Sequence, residues 1–246
     1  MKAVLASCFW WLGGLWALAQ DPSSREYFLR EVKVPNYDAK IEVNQWGDTV
    51  FVNYYKSQDP LNKTYNEFTK TFKGTPFFKN GWYKGQVISE DGFPTSFQMA
   101  FNLQKNELYL ISSLAREVVT MRPKTFVIEG HIFRQEQNRF FENVYLGKTT
   151  LLKEYSCRLE LFQSYQKTSY DAQSNAQGYE GEFVKTAKYY VKEGEKLKEV
   201  VTRKKLSKHF GEKQKAVELF IKTNNLNPKK EADLVAVFRH YDSLSK

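Results

Sequence analysis

The sequence predicts an α+β fold: an antiparallel β sandwich or open barrel followed by a small C-terminal helical region. Three observations point there. Phe97, Met99, Phe101 and Leu103 alternate with Gln98, Ala100 and Asn102, the period of a half-buried strand. Turn signals separate such runs, roughly eight to twelve residues apart, as in sandwiches and barrels. In the last forty or so residues the period changes. Leu206 and Phe210, then Val217, Phe220 and Ile221, then Leu234, Phe238 and Tyr241 recur at helical spacing.

In chain order, the first element is a leader. Met1-Lys2 carries one positive charge, and Ala3 to Ala19 is uncharged and rich in bulky apolar residues such as Leu5, Trp10, Trp11 and Trp16. The run ends in the small-x-small pattern Ala17-Leu18-Ala19. This is the build of a secretory signal peptide over 1–19. Two other readings are an uncleaved anchor and a lipoprotein. The run is at the short end for a membrane span. Leu5-Ala6-Ser7-Cys8 resembles a lipobox, but its cysteine opens the apolar run instead of closing it.

Residues 20–73 read as an N-terminal extension packed on the main body. It holds scattered short-strand signals at Val32, Val34, Ile41, Val43 and Val50 to Val52, and a turn at Trp46-Gly47-Asp48. Residues 74–162 form the predicted antiparallel β domain. A strand from Tyr83 to Ser89 ends at Glu90-Asp91-Gly92, whose glycine supplies the positive φ of a tight turn. Phe97–Leu103 and Leu108–Ile111 flank a polar turn. Phe126–Ile128 and His131–Phe133 flank Glu129-Gly130, while Asn143–Leu146 and Thr149–Leu152 flank Gly147-Lys148. Residues 163–184 read as a linker of Ser, Asn and Gly. Residues 185–246 are a hairpin turning at Gly194, followed by a basic helical tail. Within the tail, Gly211 is a C-cap candidate and Asn227-Pro228 is the expected start of the last helix.

Composition bounds the chemistry. With the leader removed, Cys157 is the sole cysteine, so no intrachain disulfide forms. Its alternating surroundings suit a small core residue. From Lys185 to Lys246 there are 16 basic and 8 acidic residues, a net of +8, whereas residues 1–184 hold 21 and 20. The basic character therefore belongs to the tail, which would attract anionic lipid or polymer through its field. Export argues against nucleic acid as the partner.

Several blocks carry a resemblance. Gly74-Thr75-Pro76-Phe77-Phe78, Trp82 to Val87, Glu90-Asp91-Gly92, Phe140 to Lys153, Tyr189-Tyr190-Val191, Phe220 to Leu226, Glu231 to Leu234 and Tyr241 to Leu244 occur in an order that resembles uncharacterised exported proteins of the Bacteroidetes. The resemblance covers residues 74–244. It implies an envelope location and a β-then-helical layout, and it implies no activity. Residues 20–73 depart from that pattern.

Candidate functional residues fall into three groups. His131, His209 and His240 are isolated from one another in sequence, and neither His-x-x-x-His nor Cys-x-x-Cys occurs. The sequence therefore nominates no catalytic, metal-ligating or cofactor-binding residue. Exposed aromatics in a β protein can stack on sugar rings, and Trp46, Trp82 and Tyr83, with Tyr54 and Tyr55, are the first candidates; β-sheets also use aromatics for cross-strand packing. In the tail, Arg203, Lys204, Lys205, Lys208, Lys213 and Lys215 interleave with an apolar stripe. They would form a surface-binding set if the tail docks on anionic lipid or a partner groove; otherwise the stripes simply bury one another. The expectation is an exported, non-catalytic protein, periplasmic or in the outer cell envelope or extracellular space, that binds an envelope protein or an anionic surface. Peripheral membrane contact is expected, with no transmembrane span once the leader is cut. The alternative is a glycan-binding or glycan-acting protein.

Overall fold

The computed structural model describes residues 39–58, 65–111, 118–162, 178–200 and 203–244. The leader expected over 1–19, the start of the expected extension up to residue 38 and most of the expected linker, 163–177, lie outside the described residues.

The described chain is mostly β. Thirteen strands among these residues join in one hydrogen-bonded sheet. They are β1 (Ala39–Val43), β2 (Thr49–Gln58), β3 (Tyr65–Lys73), β4 (Tyr83–Ile88), β5 (Pro94–Asn102), β6 (Glu107–Ile111), β7 (Val118–Met121), β8 (Thr125–Ile128), β9 (His131–Glu136), β10 (Arg139–Leu146), β11 (Thr150–Leu161), β12 (Gly181–Glu193) and β13 (Lys196–Glu199). Three short helices close the chain: α1 (Arg203–Lys208), α2 (Gln214–Thr223) and α3 (Glu231–Ser243). The spatial order is β1-β2-β3-β12-β11-β10-β9-β8-β4-β5-β6-β7, with β13 also on β12. Among the described residues the sheet does not close on itself.

Two boundaries differ from the sequence reading. The extension expected over 20–73 contributes β1, β2 and β3 to the same sheet as the β domain, joined through the parallel pair of β3 with β12 at Gly181↔Phe72 and Glu182↔Lys73. The linker expected over 163–184 ends before Gly181, because Gly181 to Val184 already pair with β11. Both differences arise from non-local pairing, which no local pattern encodes. The last helix also starts later than Pro228. Asn227 forms a turn instead, accepting the Lys229 N–H on Oδ1 (3.1 Å) and the Lys230 N–H on its carbonyl (2.8 Å), and α3 begins at Glu231.

The far end of the sheet curls. β7 and β8 are four steps apart in the strand order, about 19 Å if flat. Only Arg122, Pro123 and Lys124 join them, a reach of about 14 Å. β8-β4-β5-β6-β7 must therefore bend round, enclosing the first core. Here Phe101, Phe126, Phe133 and Phe140 pack ring on ring, with centroids 4.8–5.6 Å apart. The β3–β4 crossing, Gly74 to Trp82, lies over this core and seats Phe78 against His131, Phe133 and Tyr155.

A second core lies between the helices and the other end of β10–β12. Leu206, Phe210, Val217, Ile221, Leu234, Val237 and Phe238 pack on Leu151 and Val191. The three helical stripes thus bury one another and the sheet, as helices this short require. α3 is pinned to the β10–β11 turn by the buried Asp242. Its Oδ2 accepts from Tyr145 OH and the Thr149 N–H, each at 3.0 Å, and its Oδ1 from the Thr149 hydroxyl at 2.7 Å. Gly147 leaves the space for this carboxylate, since a Cβ there would overlap Asp242 and Tyr145.

Candidate functional site

The strongest convergence of titratable side chains among the described residues lies at the seam between the two cores. Strand register creates it. Glu142 of β10 stands opposite Lys153 of β11, and Lys153 stands opposite Tyr189 of β12, all on the face that carries the cores. Tyr155 is two residues along β11, on the same face. His131 enters from β9 and Glu231 from the first turn of α3.

Two linked groups result. Glu142, 8% exposed, accepts from His131 Nδ1 on Oε1 at 2.5 Å and from Tyr155 OH on Oε2 at 2.7 Å. A carboxylate only accepts, so Nδ1 of His131 carries the proton. Glu231 Oε2 accepts from Lys153 Nζ at 2.7 Å and from Tyr189 OH at 2.9 Å. Lys153 Nζ also sits 4.6 Å from the Tyr155 ring centroid and 5.5 Å from that of Tyr189, bridging the two groups.

The electrostatics follow from these contacts. Burial pushes the Tyr155 phenol far above its usual range, and hydrogen bonding to Glu142 adds to this. Tyr189 moves the same way through burial and Glu231. Burial would raise the Glu231 carboxyl, but the hydrogen bonds from Lys153 and Tyr189 outweigh it and hold the group below the usual carboxylate range. The sign of its linkage to folding is therefore fixed. Glu231 stabilises the fold fully above about pH 4.5, its ordinary value, and that contribution disappears as pH falls through the lower folded-state value. A Glu231→Gln variant should show a shallower loss of stability below about pH 4.5 than the parent, with little change in slope near neutrality; urea unfolding across that range checks it.

Further along the same face, Cys157 stands opposite Lys185. Cys157 is buried, its thiol lies 3.9 Å from the Thr75 carbonyl, and burial pushes its pKa up, so it is a packed core residue and not an activated thiol. Lys185 is exposed as a residue, yet its ammonium lies 3.3 Å from Asn80 Oδ1, under the β3–β4 crossing. Desolvation there holds it down to about 8, with Lys79 adding like-charge repulsion.

The residues nominated by the sequence are scattered. Trp46 is 56% exposed at the β1–β2 turn, Trp82 is buried in the first core at 7% exposure, and Tyr83 is half-buried against that core. They form no row on one sheet face, and Trp82 offers no face to a sugar. Lys208 and Lys215 are exposed, and Lys213 is half-buried with its ammonium 5.5 Å from the Tyr241 ring. The side chains of Arg203, Lys204 and Lys205 lie outside the described residues. Because the apolar stripe between these lysines is consumed in the second core, Leu219 at 65% exposure is the large apolar side chain the helices show to solvent among the described residues. His209 lies beside Glu193 (3.3 Å) and His240 stacks on Phe220 (3.9 Å), so neither joins His131.

The seam was not foreseen. One signal was available: Glu142 falls in the inward phase of its strand, two residues from Phe140, where a charge has to find an internal partner. A groove of about 690 Å³ also crosses β8, β4 and β5 on the opposite face, between Gln86, Ser96, Gln98 and Val127. Among the described residues no helix is long and apolar enough to cross a membrane, and no group of three or more His, Cys, Asp or Glu is placed to hold a metal ion. No family model, curated protein or solved structure matches the chain.

Proposed function

We propose that this protein is an exported, non-catalytic component of the cell envelope that works by holding a protein partner. The observation that carries the reading is Glu142. With both oxygens taken by internal donors, His131 and Tyr155, it is a structural carboxylate and not a reagent poised for substrate. Lys153, set over the Tyr155 ring and paired with Glu231, ties this group to Tyr189 and the helices. Charge is instead displayed outward, at Lys208, Lys215 and Lys222 on the helices. Such a surface recruits a partner by electrostatic complementarity, which sets rate and specificity and weakens with salt. The leader-like residues 1–19 and the resemblance to exported Bacteroidetes proteins support the envelope setting.

Affinity capture on the full chain from native envelope extracts, read by mass spectrometry, tests this. The expected result is a reproducible protein partner at low ionic strength that is depleted when salt is raised. Recovery of nothing beyond what an unrelated exported control captures would overturn the reading.

A further inference from the structure

We infer that the middle of β12 is an open slot in the sheet that takes an extended, acidic segment of a partner protein as an added strand. This rests on the binding role proposed above and names the kind of segment that is bound.

The slot follows from the ladder. β11 pairs with all of β12, from Gly181 to Lys192. On its other edge, β12 meets β3 only at Gly181 and Glu182, and β13 only from Tyr190 to Glu193. The Tyr189 carbonyl faces that second edge, where it accepts the Val200 N–H at 2.7 Å. Backbone groups of a strand alternate sides with a period of two, so those of Lys185 and Ala187 face the same way. Among the described residues nothing pairs with them, and residues 185 to 188 are all exposed. A run of unpaired N–H and C=O groups is a template for another strand. The interval between Glu182 and Tyr189, whose carbonyl is already taken, spans about 23 Å, room for a short extended segment flanked by β3 and β13.

Charge selects the occupant. Lys185 projects from the slot on the core-bearing face, beside Cys157. Its hydrogen-bond partner is the neutral Asn80, and Lys79 lies close enough to repel it. Neither lysine has a carboxylate partner among the described residues. A carboxylate arriving on that face would supply the missing counter-ion in a partly desolvated position, where a charge-assisted hydrogen bond is strong. On the opposite face Lys188 is already paired with Glu199 at 3.3 Å. Acidic residues are therefore expected at alternate positions of the bound segment.

Two variants separate backbone from charge. Ala187→Pro removes the N–H offered to the slot, and because Ala187 turns its backbone away from β11 it leaves that ladder intact. Lys185→Gln removes the charge and leaves every backbone group. Fluorescence anisotropy with the full chain and labelled alternating Val-Glu and Val-Gln peptides gives the readout. Saturable binding of the Val-Glu peptide is expected, about tenfold weaker for Val-Gln and for Lys185→Gln, and abolished in Ala187→Pro. Equal binding of the two peptides, unchanged binding in Ala187→Pro, or no saturable binding to the parent would overturn the proposal. So would a parent dimer that Ala187→Pro converts to monomer, which would assign the slot to a second copy of this chain. If Ala187→Pro lowers the melting temperature, Lys185→Gln alone decides. A partner captured from envelope extracts as well by Ala187→Pro as by the parent would remove the slot and leave the binding role standing.

Discussion

Replacing Asp242 by alanine should cost about 3 kcal/mol of stability and release the helical layer before the sheet. The carboxylate is 8% exposed and accepts three hydrogen bonds, all from the β10–β11 turn and its flanks. Hydrogen bonds to a charged acceptor contribute roughly 1.5–3 kcal/mol each, but these share one group and do not add. Water can also reach the half-buried Tyr145 and Thr149 once the carboxylate is gone, which limits the loss. Asp242→Asn keeps one acceptor oxygen and should lose less. Burial, and then the hydrogen bond to Asp242, raise the Tyr145 phenol above its usual value. In Asp242→Ala the spectroscopic titration of Tyr145 should therefore fall back toward the usual range. Thermal unfolding and hydrogen exchange of α3 measure the rest. Unchanged protection of α3 in the alanine variant would show that the apolar stripe alone holds the helix.

What could be read in advance divides along a physical line. Elements whose pattern is local were legible: β4 to β6, the β8–β9 and β10–β11 hairpins, and the three helical stripes. Alternation or helical spacing signals which face is buried, whatever it packs against. β1 to β3 carry no clean strand signal, because polar and aromatic residues alternate irregularly along Thr49–Gln58 and Tyr65–Lys73, which blurs the period. Their place in the sheet depends on Phe72 meeting Gly181, a pairing across more than a hundred residues with no local trace. The seam lies in between. Glu142 and Asp242 each occupy the apolar phase of their element, so that each needs an internal partner was readable. Which partner it finds was not, because Glu142↔Lys153 depends on a register that shifts at the bulge between Asn143 and Tyr145. The slot on β12 is the least legible feature of all, since it is defined by where two other strands stop.

Phe133→Ala tests whether the two cores behave as one body. Phe133 is fully buried and its ring meets Phe78, Phe101, Phe126 and Tyr155. Truncating such a side chain typically costs about 3–5 kcal/mol, from lost transfer energy and the cavity left behind. For a chain of this size that lowers the melting temperature by roughly 10 °C. The informative part is where the loss appears. Phe133 touches the first core, while the helices pack on the second, and the groups that bridge them are Glu142, Tyr155, Lys153, Tyr189 and Glu231. If that seam couples the cores, far-ultraviolet helical signal and aromatic near-ultraviolet signal should fall together in the variant, at one lowered midpoint. If the seam merely fills space, the helical signal should keep the parent's midpoint while the aromatic signal moves. In the coupled case, adding Lys153→Met to Phe133→Ala should separate the two transitions, because Lys153 is the group that spans the Tyr155 ring of the first core and Glu231 of the helices.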